Sequence, residues 1–211
     1  QIEEQRMIAG MDFCKGTCEG QSVVVVRSGI GKVNAAVCTQ ILCDIFEVDM
    51  IINTGVAGSL KNEINIGDIV LSTDALQHDM DATGFGYAPG IIPRMETSVF
   101  EADQTLVDLA EKVCKEVNPE IQVHKGRVIS GDQFISDRSV KDRLIELFQG
   151  YCTEMEGAAI GQAAYLNKIP YLVIRAISDK ADDSAHVDYP TFEREAIRHT
   201  VNLVENMMKV L

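Results

Sequence analysis

Two short stretches place acids where they could act together on one small molecule. In Cys152-Thr153-Glu154-Met155-Glu156-Gly157-Ala158-Ala159, two glutamates stand at i and i+2 where a strand-like run hands over to an alanine-rich helix. In extended backbone, side chains at that spacing point the same way. A carboxylate accepts two hydrogen bonds at once, which suits the adjacent 2′ and 3′ hydroxyls of a ribose. Glu154 and Glu156 would equally complement the N-terminus of the helix that follows. The second stretch, Val173-Ile174-Arg175-Ala176-Ile177-Ser178-Asp179-Lys180-Ala181-Asp182, ends an apolar run on a Ser-Asp pair. An acid there is placed to protonate a leaving group, and a turn or cap role suits Asp179 as well.

These residues need elements to hold them. Short β-branched runs at 22–27, 50–53, 68–72, 122–129 and 171–177 read as strands. Helical spacing, such as Val33, Val37, Ile41 and Ile45, predicts helices over 32–46, 103–117, 139–148, 156–166 and 191–210. The alternation predicts an α/β sandwich with a largely parallel, buried sheet. With no repeat, low-complexity tract or linker, a single domain spans 1–211. In open α/β sheets ligands sit beyond the carboxyl ends of the strands. The segments there are Ser28-Gly29-Ile30-Gly31-Lys32, Thr54-Gly55-Val56-Ala57-Gly58, Ser130-Gly131-Asp132-Gln133-Phe134-Ile135 and Ser178-Asp179-Lys180-Ala181-Asp182, all rich in turn-forming residues.

Several chemistries are excluded. Gly29-Ile30-Gly31-Lys32 lacks the rest of a phosphate loop, because Val26 stands at the earlier glycine and Val33 follows the lysine. A dinucleotide fingerprint would need glycine where Asn34 stands. No Gly-x-Ser-x-Gly elbow accompanies His78-Asp79. Cys14 and Cys18 have no second Cys or His pair at zinc spacing, so neither metal nor cofactor is expected. With 19 Lys and Arg against 32 Asp and Glu, the net charge of −13 repels nucleic acid. No apolar run approaches the roughly 20 residues of a membrane span, and Gln1–Arg6 has no leader character. A cytoplasmic protein with reduced cysteines is the expectation.

Five blocks, in order, resemble the nucleoside phosphorylase and nucleosidase family, and within it the methylthioadenosine/S-adenosylhomocysteine nucleosidases. They are Ser28-Gly29-Ile30-Gly31-Lys32-Val33, residues 51–58 (Ile-Ile-Asn-Thr-Gly-Val-Ala-Gly), residues 130–135, Glu154-Met155-Glu156 and Arg175-Ala176-Ile177-Ser178-Asp179. The resemblance implies a three-layer α/β/α sandwich around a central twisted mixed sheet, and hydrolysis of the N-glycosidic bond of a purine nucleoside. It implies Glu156 on the ribose hydroxyls beside Glu154, Met155 against the sugar, Phe134 stacked on the purine and the Ile135 backbone reading its edge. Asp179, positioned by Ser178, would protonate N7 of the leaving adenine, and Ala57 and Gly58 would line the floor. Ile30, with Phe85, Tyr87 and Pro93 from a second subunit, would form the slot for the 5′-thioalkyl group, which implies a homodimer. Related phosphorylases hold phosphate with arginines, one of which precedes the Gly-x-x-Gly turn, where this chain has Asn53; Val56 likewise lacks a hydroxyl. Water is therefore the expected nucleophile. The family's water-activating glutamate would lie ahead of Gln1, on a strand this chain lacks, so the chain alone is expected to turn over poorly or to act as a nucleoside-binding protein.

Overall fold

The computed structural model describes the backbone of residues 1–211 and all side chains except those at 187, 189, 190, 193, 195 and 196. Three strands, β1 (Ile2–Ile8), β2 (Met11–Cys18) and β3 (Gln21–Val26), form a small antiparallel sheet. Its hairpins turn on Ala9-Gly10 and Glu19-Gly20, all four with positive φ. That geometry matches the right-handed twist of paired strands. The first two strands were not anticipated, since Ala-Gly and Glu-Gly are weaker turn signals than Asn-Gly. Phe13 and Met11 bury this sheet against Cys38 of α1 (Lys32–Phe46), with Phe13 stacked on Phe46 at 5.1 Å.

The larger sheet holds β4 (Ile51–Ser59), β5 (Ile69–Gln77), β6 (Phe100–Glu101), β7 (Val123–Ser130), β8 (Cys152–Glu154) and β9 (Tyr171–Asp179). Their order is β6-β5-β7-β8-β4-β9, and β5 also pairs antiparallel with β9, so the mixed sheet closes on itself. Helices α2 (Gln104–Val117), α3 (Arg138–Phe148), α4 (Gly157–Asn167) and α5 (Ala185–Met208) complete the fold. Asp103 and Asp137 start α2 and α3 by accepting the Leu106 and Val140 amides, the usual way to satisfy orphan donors. Helix α5 begins earlier than the expected residue 191, continuing back through the proline at 190 where the periodic reading stopped.

Every residue of β9 is buried. Val173 and Ile177 join the core shared with α1 and α4, while Leu172, Ile174 and Ala176 join the one shared with α2 and α5. A strand covered on both faces reads as an unbroken apolar run, and the result is the expected layering of helices on either side of a mixed sheet. Two expectations are corrected. Residues 54–58 and Ser178-Asp179 were read as loops beyond their strands, but both lie inside β4 and β9, which pair from Ile51–Tyr171 to Gly58–Asp179. Glycine and aspartate are poor strand formers alone; the parallel ladder overrides that preference. Among the described residues no helix is long and apolar enough to cross a membrane, no His/Cys/Asp/Glu group has metal-site geometry, and the six cysteines are free.

Candidate active site

Gly58 stands at the crossing of three strand ends. Thr153 of β8 is its antiparallel neighbour and Asp179 of β9 its parallel one. Strands lie about 4.8 Å apart, so the ends of β8 and β9 lie about 10 Å apart in the sheet, one on each side of β4. Asp179 is only 2% exposed. Its Oδ2 accepts from Ser178 Oγ at 2.9 Å and its Oδ1 from the Ala181 amide at 2.8 Å. Burial pushes this carboxyl above the usual range; those two donors oppose the rise, and the charges of Asp188 and Asp182 add to it. A Cβ on Gly58 would lie 2.8 Å from Asp179 Oδ1 and 2.7 Å from Ala181 Cβ, so only glycine leaves the acid room. Below the turn, Lys141 Nζ donates to the Lys180 carbonyl at 2.6 Å.

Glu154 and Glu156, either side of the end of β8, are held by different partners. Glu154, the last residue of the strand, is turned inward and 7% exposed. It accepts from Ser130 Oγ, from the Glu156 and Gly157 amides, and from the guanidinium of Arg175. Its lone pairs are spent, so the expected joint grip of Glu154 and Glu156 on one ligand is corrected: the chain leaves extended geometry at Glu156, the cap of α4, and the i, i+2 rule lapses. Arg175 crosses the face of Gly55, where any Cβ would collide with it, and also donates to Asn53 Oδ1 at 2.6 Å. Glu156 stays half-buried, with Oε1 accepting the Gly31 amide at 2.8 Å and Oε2 3.7 Å from Arg175 Nη2. Burial raises its carboxyl, the Glu154 charge adds to this, and Arg175 and the Gly31 amide oppose it.

The glycine turn before α1 closes this side. Gly31 has φ 94°, and the next amide, Lys32 N–H, donates to Asp132 Oδ1 at 2.8 Å. The first amides of a helix are natural anion sites, and here Glu156 and Asp132 already occupy two of them. Of the remaining candidates, Ala57, Ser178 and Ile135 are buried and Met155 is half-buried. Phe134 is half exposed, tilted against His186 at 5.5 Å. Ile30 (73% exposed), Phe85 (87%) and Tyr87 (39%) project outward, with Pro93 half-buried. Sequence reasoning gave no role to Arg175, although a lone charge within an apolar strand demands a partner. It weighed Lys32 and Asp79 only for a phosphate loop and a catalytic dyad, and did not join them to each other or to Asp132, because the three lie too far apart in the chain to signal a contact.

Residues 1–209 match the model of the phosphorylase superfamily. The chain belongs to that superfamily. A curated member, the 5′-methylthioadenosine/S-adenosylhomocysteine nucleosidase of Bacillus velezensis, is 41% identical over 207 residues, which are 98% of this chain and 89% of the relative. Among solved superfamily structures, the 5′-methylthioadenosine/S-adenosylhomocysteine nucleosidase of Helicobacter pylori with butyl-thio-DADMe-Immucillin-A superposes with a TM-score of 0.94 at 31% identity, over 99% of this chain and 88% of that one. The futalosine hydrolase of Helicobacter pylori gives 0.93 at 30% identity, over 99% and 88%.

Proposed function

We propose that this chain is a purine nucleosidase that hydrolyses the N-glycosidic bond of 5′-methylthioadenosine and S-adenosylhomocysteine, releasing adenine and a 5-thioribose product. The observation that carries the reading is the Asp179 carboxyl, almost free of solvent at the end of β9 and held above its ordinary range. A carboxyl in that state keeps its proton closer to neutrality and can pass it to a departing purine. Cleavage of a glycosidic bond develops positive charge on the sugar, and Glu156 supplies a carboxylate beside it while accepting the 2′ and 3′ hydroxyls. Phe134 offers an aromatic face to the base, with the Ile135 backbone at its edge and Met155, Ala57 and Gly58 shaping the floor.

Water as the nucleophile follows from where the cations and amides are committed. Arg175 is bound by Glu154 and Asn53, and the α1 amides by Glu156 and Asp132. A phosphate dianion would meet carboxylates where it needs donors. The exposed Ile30, Val33 and Val37 at the start of α1, with Phe85 on its own turn, suit a homodimer in which Phe85, Tyr87 and Pro93 complete the thioalkyl slot of the partner.

The test is chromatography of methylthioadenosine incubated with the protein, with and without phosphate, and with futalosine as a competing substrate. Adenine release indifferent to phosphate is expected. Phosphate-dependent formation of a ribose 1-phosphate product would overturn the reaction class. Calorimetric binding with no product would favour a nucleoside-binding protein.

A further inference from the structure

The lysine of Gly29-Ile30-Gly31-Lys32 takes no part in the chemistry above, yet it is held from three sides. Its Nζ lies 2.6 Å from Asp79 Oδ1 and 3.0 Å from Gln77 Oε1. The side chains of Lys32 and Asp79 are 18% and 17% exposed. The other Asp79 oxygen accepts the Asp132 amide at 2.9 Å, and Asp132 Oδ1 accepts the Lys32 amide at 2.8 Å. Three residues from three segments thus close a ring joining the turn before α1, the end of β5 and the loop after β7. Burial works to raise the Asp79 carboxyl, but the Lys32 and Asp132 donors hold it below its ordinary value.

Next to this ring, Glu156 has two competing partners. Its Oε1 takes the Gly31 amide, while its Oε2 stands 3.7 Å from Nη2 of Arg175, the nitrogen that already donates to Glu154 and Asn53. Unlike charges attract more strongly where water is scarce, and these two side chains are 4% and 16% exposed, so a Glu156 released from Gly31 would be drawn onto Arg175. We propose that Lys32 is a positioning residue: through Asp79 and Asp132 it fixes the glycine turn, and the Gly31 amide then keeps the Glu156 carboxylate off Arg175 and open to the sugar hydroxyls. The glycine-lysine turn that looks like a phosphate loop is on this view a device for aiming a carboxylate. The proposal rests on the reading of Glu156 as the ribose clamp.

The test compares calorimetric affinities for methylthioadenosine and for its 2′,3′-dideoxy analogue, with Asp179→Asn present throughout to suppress turnover, in the otherwise unaltered protein and with Lys32→Met, Asp79→Asn or Glu156→Gln added. Charge-assisted hydrogen bonds contribute about 1.5–3 kcal/mol, so the unaltered protein should favour the ribonucleoside by about tenfold or more. Glu156→Gln should erase most of that ratio. Lys32→Met and Asp79→Asn should do the same while binding the dideoxy compound within about threefold of the unaltered protein, a split that a merely structural lysine would not produce. If both keep the full ratio while Glu156→Gln loses it, the role of Lys32 is refuted and the clamp stands. Equal weakening of both ligands in the two variants also refutes it. A full ratio in Glu156→Gln removes the clamp itself, and the proposal with it.

Discussion

Replacing Arg175 by methionine removes one member of a buried ion pair and leaves the other in place. Breaking such a pair from one side costs about 3–5 kcal/mol, because an uncompensated charge remains in a poorly solvated site. The surroundings of Glu154 put Arg175→Met at the lower end. The stranded carboxylate would still accept from Ser130 Oγ and from the Glu156 and Gly157 amides. Asn53 loses its donor as well, a further ~1 kcal/mol. A total of about 3–4 kcal/mol corresponds to a fall in Tm of about 6–16 °C for a chain of this size. The reverse change, Glu154→Gln, should cost more. It strands a guanidinium that cannot lose its proton, with Asn53 and a carboxylate 3.7 Å away as its remaining partners. The double variant should lose less than the sum of the two, since the second change removes the charge the first left unpaired. Calorimetric melting of the four proteins measures all three quantities. A fall of under about 2 °C for Arg175→Met, or strict additivity in the double variant, would show that the pair is not the buried, coupled unit described.

Asp179→Asn should lower turnover by about 10²–10⁴-fold, with substrate affinity largely kept. Its stability should carry a pH signature. A carboxyl raised by burial favours the folded state while protonated, and that contribution fades as pH rises through the raised pKa. An amide in its place does not titrate and escapes that loss, so the variant should melt above the unaltered protein at pH 7 and converge with it toward pH ~4; a constant gap would contradict the assignment. Gly58→Ala pushes a methyl within 2.8 Å of Asp179 Oδ1 and 2.7 Å of Ala181 Cβ. It should destabilise by about 1–3 kcal/mol and cut turnover by up to about 100-fold, and near-normal kinetics would show that the acid tolerates displacement. Phe85→Ala, at a side chain 87% exposed in one chain, should weaken binding of methylthioadenosine by about tenfold or more relative to adenosine. An unchanged ratio would take Phe85 out of the thioalkyl slot.

The alternation of β-branched runs and helical spacing was enough to anticipate the layered fold, because burial on one or two faces writes its period into the chain. The helix over 32–46 was legible to the residue, and the blocks around Glu156 and Asp179 were legible as candidate chemistry through their order with the three glycine-rich or serine-rich blocks, since each acid taken alone suits a cap or turn equally well. What local pattern could not convey was which partner each charge would find. Glu154 and Glu156 are the same residue type two positions apart, yet one is consumed by Arg175 and Ser130 while the other meets Gly31, 125 residues away. The ladder between β4 and β9 turned supposed loops into strand and set Gly58 against Asp179. Carboxylate protonation and orientation depend on burial and on donors brought together from distant segments, and those distances exist only once the sheet has closed.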